Sequence, residues 1–142
     1  VQNYAELARQ LTEQGANVWV LGGPAEAAIA AQIAATGGPS VSNLTGNDLR
    51  NAIVALSAAD LAVTNDSGLM HISAAIGTPT VAIFGPTSAR LWAPLNRLSA
   101  IVEPPGSFAN IKDRSTAGVT VDRVMDAVRQ TLPDHFTAAV QR

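Results

Sequence analysis

The segment Asn65-Asp66-Ser67-Gly68-Leu69-Met70-His71 gathers an acid, a hydroxyl, a glycine and an imidazole between two apolar stretches. A simple turn needs only one or two such residues, so the gathering suits a site for a negatively charged ligand. A helical pattern begins at Gly68. Backbone N–H groups in a first helical turn lack internal partners and lie at the positive end of the helix dipole, which favours a phosphate. Gly68 lets a phosphate approach the backbone with no Cβ in the way, and Ser67 can donate a hydroxyl hydrogen bond. Helix capping by Asp66 or Ser67 is the competing account of those two residues. Capping leaves His71 over, one turn into the helix, where an imidazole serves either as a structural group or as a donor to a phosphate or sugar oxygen.

Other known chemistries fail on their own motifs. Gly22-Gly23-Pro24 is not G-x-G-x-x-G, and no Gly-Lys-Ser/Thr occurs, so neither the dinucleotide fingerprint nor the P-loop is supported. With two histidines, His71 and His135, and no cysteine, neither a metal site nor a disulfide is expected. No G-x-S-x-G elbow is present for a serine hydrolase. No bound cofactor is implied.

The elements that must position this segment follow from periodicity. Tyr4, Leu7, Ala8 and Leu11 recur at helical spacing before Gly15, which predicts an amphipathic helix over 3–14. Val18-Trp19-Val20-Leu21 reads as a strand apolar on both faces, turned by Gly22-Gly23-Pro24 into an Ala/Ile-rich helix over 25–36. A weak strand is expected at 41–45, a helical face at Leu49, Ala52, Ile53 and Leu56, a strand at 61–64 and a helix over 68–76. Gly77-Thr78-Pro79 closes that helix before a strong strand at 80–84. Residues 85–119 look less regular, apart from a strand at 99–102. Val121, Val124, Val128 and Leu132 mark a last helix, and the polar tail after Pro133 is expected to be loosely held. Strands without polar alternation must be covered on both sides, the mark of a parallel sheet between helix layers. The expectation is one α/β domain, a doubly wound, Rossmann-like parallel sheet.

In such sheets ligands bind beyond the carboxyl ends of the strands. Four polar clusters fall at those ends, at 22–26, 45–48, 65–68 and 85–88, and would form one rim. Turn geometry alone is the competing account of each loop.

Composition bounds the function. Of 142 residues 47% are hydrophobic and 14% charged, the balance of a compact soluble domain rather than a disordered chain. A formal net charge of −2, with Lys112 as the single lysine among scattered arginines, gives no basic stripe for nucleic acid. No apolar run approaches the roughly 20 residues of a membrane span, and the N-terminus shows no signal-peptide pattern. The chain has no initiator methionine and starts inside a helical pattern, which reads as a piece of something longer.

The run from Ala58 to Pro79, which contains Asn65-Asp66-Ser67-Gly68-Leu69-Met70-His71, followed by Phe84-Gly85-Pro86-Thr87, closely resembles glycosyltransferase family 9, the heptosyltransferases, and within it the heptosyltransferase II-like type. The order D-[ST]-G-x-x-H, an Ala-rich helix, G-x-P, an apolar strand and F-G-P-T is specific. Weaker likeness extends to Tyr4-Ala5-Glu6-Leu7-Ala8, Asn43-Leu44-Thr45-Gly46 and the closing helix, so it covers nearly the whole chain.

The resemblance implies a GT-B glycosyltransferase of two facing Rossmann-like halves, with residues 1–142 as the C-terminal, donor-binding half. The reaction it implies moves heptose from ADP-heptose to the lipopolysaccharide inner core with inversion and without metal. Carried over by position, Asp66, Ser67 and Gly68 border the donor diphosphate and sugar, with amides of residues 67–69, Leu69 included, binding phosphate. His71 serves the donor phosphates or holds the loop. Glu26 meets the ribose hydroxyls, by a looser match, while Gly46, Asn47 and their neighbours to Leu49 run along the base. The general base is a carboxylate of an N-terminal half absent from this sequence, and the cationic segment before the first helix is missing too. The chain alone is therefore expected to bind donor weakly and transfer nothing. The lipid-linked acceptor would be met through the missing half, in the cytoplasm at the inner face of the membrane. The alternatives are another GT-B enzyme, a UDP-sugar transferase or epimerase, and a non-catalytic flavodoxin-like module. A receiver of that last kind needs a first-strand carboxylate cluster and a late lysine that this sequence does not display.

Overall fold

The computed structural model describes residues 1–106 and 110–136. The chain divides into two compact units, Val1–Val54 and Ala55–Arg142. Both are built from parallel strands alternating with helices, as the periodicity predicts.

The first unit contains helix α1 (Gln2–Glu13), strand β1 (Val18–Val20), a 3₁₀ turn (Pro24–Glu26), helix α2 (Ala27–Gly37) and strand β2 (Val41–Asn43). Ala5, Leu7 and Ala8 are the buried residues of α1. Ala5 and Ala8 form a core with Ile33 and Val41, against which Tyr4, Val18, Val20 and Ala34 pack. Small side chains let the layers approach closely. A Cβ on Gly37 would lie 2.5 Å from Val41 Cγ2 and 3.2 Å from Ala8 Cβ, so this position is closed to larger residues. β1 and β2 run parallel in register, Val18 opposite Val41 and Val20 opposite Asn43.

Two details depart from the periodicity. β1 is not covered on both faces: Trp19 is 43% exposed, in keeping with a sheet of only two hydrogen-bonded strands. β2 stops at Asn43 rather than Thr45, because Asn43 Oδ1 accepts hydrogen bonds from both the backbone N–H and the hydroxyl of Thr45, bending the chain locally.

Helix α3 (Leu49–Ala58) leads into the second unit, which continues with β3 (Ala62–Asn65), α4 (Gly68–Ala75), β4 (Thr80–Ile83), α5 (Ala89–Trp92), β5 (Ser99–Val102), α6 (Val121–Thr131) and α7 (Pro133–Phe136). The sheet order is β3-β4-β5, all parallel, with Asn65 opposite Ile83 and Ile83 opposite Val102. The central strand β4 is buried at every residue, which explains why apolar Val81-Ala82-Ile83 follow Thr80 without polar alternation. α4 packs on β3 and β4, and α6 on β4 and β5, burying Val124, Met125, Ala127 and Val128. Met70, Ala82, Phe84 and Ala89 form one core cluster, with Met70 and Phe84 fully buried. Side chains of that size contribute about 1.5–3 kcal/mol each on burial.

Among the described residues of this unit the three buried hydroxyls, on Ser73, Thr78 and Thr80, are paired. Ser73 Oγ donates to Met70 O at 2.8 Å and lies 2.9 Å from Thr80 Oγ1, while Thr78 Oγ1 donates to Leu56 O at 2.8 Å. Three buried hydroxyls thus fix the turn from α4 into β4, where Gly77 takes φ +84°. Within 85–119 the periodicity misses α5 and two 3₁₀ turns, Ile111–Asp113 and Thr116–Gly118, because single turns carry too few residues to show a period. Pro133, expected to open a loose tail, instead begins the short α7, as its fixed φ suits a first helical position. Residues 137–142 of that tail lie outside the described residues.

Candidate functional site

The Asp66–His71 segment lies where β3 ends beside β4. The Asp66 N–H donates to Ile83 O at 3.2 Å, so the loop is an extension of the parallel ladder and its position is set by the buried β4. The backbone of Ser67 is extended, φ −157° and ψ 171°, and the chain turns into α4 at Gly68. Ser67 is the N-cap residue, yet its hydroxyl does not accept from the helix. It lies instead 3.3 Å from Thr64 Oγ1. The capping explanation of Ser67 therefore falls, and the first-turn amides of α4 carry no cap from that side chain. By contrast Thr120 does cap α6, accepting from the Arg123 N–H.

Gly68 is exposed, its φ is not positive, and a Cβ added there would meet nothing within 4 Å. Neither backbone strain nor packing among the described residues requires glycine at this position. Gly85 is the opposite case: a Cβ there would lie 2.9 Å from Thr116 Cγ2 and 3.0 Å from the Thr116 backbone nitrogen. Its glycine serves the close approach of the loop bearing Thr116. Of the remaining segment residues, Asp66 and Leu69 are half-buried and His71 is exposed. His71 makes an edge contact with Trp92, ring centroids 6.5 Å apart and planes at 67°. Trp92 is absent from the sequence-based site; its one signal there is an aromatic residue shortly after the Phe84-Gly85-Pro86-Thr87 run.

Glu26, Gly46 and Asn47 belong to the first unit, at the carboxyl ends of β1 and β2. The Gly46 N–H donates to Gly22 O at 3.0 Å, joining the two loops. Glu26 is exposed on the 3₁₀ turn, and its Oε2 lies 3.1 Å from where a Gly23 Cβ would stand and 3.4 Å from that of Gly22. The Gly22-Gly23 pair thus leaves room for the carboxylate to lie over the turn. Gly46 adopts φ +80°, a conformation that by itself calls for glycine. The Asn47 side chain is committed to its own loop, donating to Leu44 O at 2.9 Å. The structure thus gathers Gly46 and Asn47 in one loop joined to the Glu26 loop, and Asp66 to His71 in a second cluster in the other unit.

Charge and metal chemistry are limited in what is described. Lys112 is exposed, and Arg114 pairs with Glu103 at 2.6 Å. Among the described residues no group of three His, Asp or Glu side chains could hold a metal ion, and no helix is long and apolar enough to cross a membrane.

The chain is similar to known proteins over most of its length. The chain is 31% identical over 141 residues to lipopolysaccharide heptosyltransferase 2 of Escherichia coli K12, covering 96% of this chain and 40% of that protein. It is 30% identical over 145 residues to the Salmonella typhimurium protein of the same name, covering 93% and 42%. The chain thus spans about two-fifths of the length of these relatives. The solved structure of E. coli ADP-heptose lps heptosyltransferase II superposes with a TM-score of 0.80 at 30% identity, over 92% of this chain and 40% of that one. E. coli heptosyltransferase WaaC with ADP shares the fold, TM-score 0.80 at 23% identity, over 92% and 38%. The profile of glycosyltransferase family 9 (heptosyltransferase) matches residues 1–116, and the chain belongs to that family.

Proposed function

We propose that this chain holds the nucleotide-sugar donor of an inverting heptosyltransferase that takes ADP-heptose as donor and the lipopolysaccharide inner core as acceptor. The observation that carries the reading is Gly68: a glycine that neither its φ nor packing among the described residues requires, at the start of a helix that the Ser67 side chain leaves uncapped and that two parallel strands place. Such a helix start is built for anions, and a missing Cβ on its outer side serves something that approaches from outside the chain. The names of the E. coli ADP-heptose lps heptosyltransferase II structure and of the WaaC structure with ADP favour a diphosphate as that group.

In this reading the amides of Gly68 and Leu69 and the Ser67 hydroxyl donate to the diphosphate. Asp66 borders the sugar and orients its hydroxyls. Glu26 receives the ribose hydroxyls, while the backbone of the Gly46–Asn47 turn runs beside the base. An acceptor hydroxyl oxygen attacks the anomeric carbon and the bond from that carbon to the phosphate oxygen breaks. Its electron pair leaves on ADP. Negative charge on the diphosphate grows as the bond breaks, so fixed amide dipoles stabilise the transition state more than the ground state. The attacking hydroxyl gives its proton to a carboxylate outside these 142 residues, so the chain alone binds donor and does not transfer. The enzyme works in the cytoplasm, peripheral to the inner face of the membrane where its lipid-linked acceptor lies.

Calorimetric titration with ADP, UDP and GDP tests the reading. Tighter binding of ADP is expected. A preference for UDP would replace the ADP-heptose assignment with that of a uridine-dependent GT-B enzyme, and binding of none of the three would remove the donor-site assignment.

A further inference from the structure

Trp92 is an indole held in a fixed place and left 55% exposed. Its backbone is secured by α5, where the Trp92 N–H donates to Ser88 O at 3.0 Å and the next N–H, of Ala93, donates to Ala89 O at 2.9 Å. Ala89 is buried in the same cluster as Met70, the residue before His71. The buried cluster shared by Ala89 and Met70 anchors both segments, and Trp92 meets the His71 ring in an edge contact at 6.5 Å. His71 is three residues beyond Gly68, about 4.5 Å along the helix axis. The exposed indole thus lies one side chain away from the helix that starts at the proposed phosphate site.

The exposed indole, edge-on to the His71 imidazole on the first turns of α4, offers its free face to a ligand bound there. Tryptophan offers an apolar face together with an N–H donor. That combination matches a pyranose ring, whose C–H face is apolar and whose rim carries hydroxyls. Adenine is the other flat group of a nucleotide-sugar, but the reading above assigns it to the Gly46–Asn47 turn.

We propose that Trp92, held against His71, is a specificity-determining shelf for the donor's sugar ring. The indole face covers the C–H face of the ring, and the His71 imidazole meets a ring hydroxyl or the bridging oxygen. The inference rests on the donor-site reading and adds to it the residue that separates ADP-sugar from ADP.

The test uses the 142-residue chain with Trp19→Phe, which leaves Trp92 as its one indole, titrated with ADP and with ADP-heptose while emission and heat are recorded. Trp92 emission should change with ADP-heptose and little with ADP. Trp92→Ala should weaken ADP-heptose on the order of tenfold, about 1.4 kcal/mol, and leave ADP binding within about twofold. Trp92→Phe should recover most of the loss. Unchanged thermal unfolding of both variants shows that the fold is intact. Equal weakening of ADP and ADP-heptose, or no weakening of either, overturns the shelf while leaving the donor site standing. An emission response to a free heptose oligosaccharide and not to ADP-heptose overturns the donor assignment of the ring. Absence of ADP binding in the unaltered chain overturns the donor site and the shelf together.

Discussion

Replacing Gly68 and Gly85 with alanine, one at a time, separates a glycine that serves a ligand from one that serves the fold. At Gly68 the added methyl enters open space with no positive φ to strain. Alanine in place of glycine in a helix is worth about 0.5–1 kcal/mol in the stabilising direction. Thermal unfolding should stay level or rise by up to about 4 °C for a chain near this size. At Gly85 the methyl meets Thr116 at 2.9 and 3.0 Å, one of these contacts being backbone. Overpacking of that kind costs about 1–3 kcal/mol, or roughly 4–12 °C. Ligand binding reverses the ranking. If the Gly68 amide hydrogen-bonds a phosphate, the methyl pushes the anion off a charged hydrogen bond worth about 1.5–3 kcal/mol, so ADP should bind about 10- to 150-fold more weakly. Differential scanning calorimetry and ADP titration on the same samples give both quantities. Gly68→Ala binding ADP at the original affinity, or destabilising the chain as much as Gly85→Ala, would refute the reasoning.

Two further outcomes follow from the interior and from the surface charge. Ser73→Ala and Thr80→Val each remove one hydroxyl of a buried pair 2.9 Å apart, and each should cost about 1–3 kcal/mol by leaving its partner short of a hydrogen bond. Chemical denaturation should find the double variant less destabilised than the sum, whereas strict additivity would deny the coupling. Hydrogen bonds from Arg9, and then Gln10, hold the Glu6 carboxyl down to about 2, against the opposing effect of desolvation. Because the folded value lies below the unfolded one near 4.5, its stabilising effect is present above pH 4.5 and is lost as the pH falls toward 2. Unfolding temperatures of the unaltered chain and Glu6→Gln should therefore converge across that window; a constant gap would contradict the assignment.

Most of the fold was legible because its signals are local. The apolar run Val81-Ala82-Ile83 of β4 and the 3.6-residue spacing of α1 and α6 name their elements without tertiary help. The end of β2 was not legible, since Asn43 could continue a strand or bend the chain through its own side chain, and only the observed bonds to Thr45 decide. Nor was α5, a single turn whose place depends on Ala89 packing beside Met70. In the candidate site the residue types were legible and their reasons were not. Gly46 looked like a ligand glycine but carries a positive φ, and Gly85 is dictated by Thr116. Gly68 alone of these three has no such need. The contact of Trp92 with His71 joins residues 21 positions apart and left no periodic trace.

The most direct measurement is a ¹⁵N–¹H amide titration of the chain with ADP. The Gly68 and Leu69 cross-peaks should move downfield as their N–H groups take phosphate oxygens, saturating together with the binding heat. Saturable ADP binding that leaves those two signals in place while moving others would contradict the account at its root.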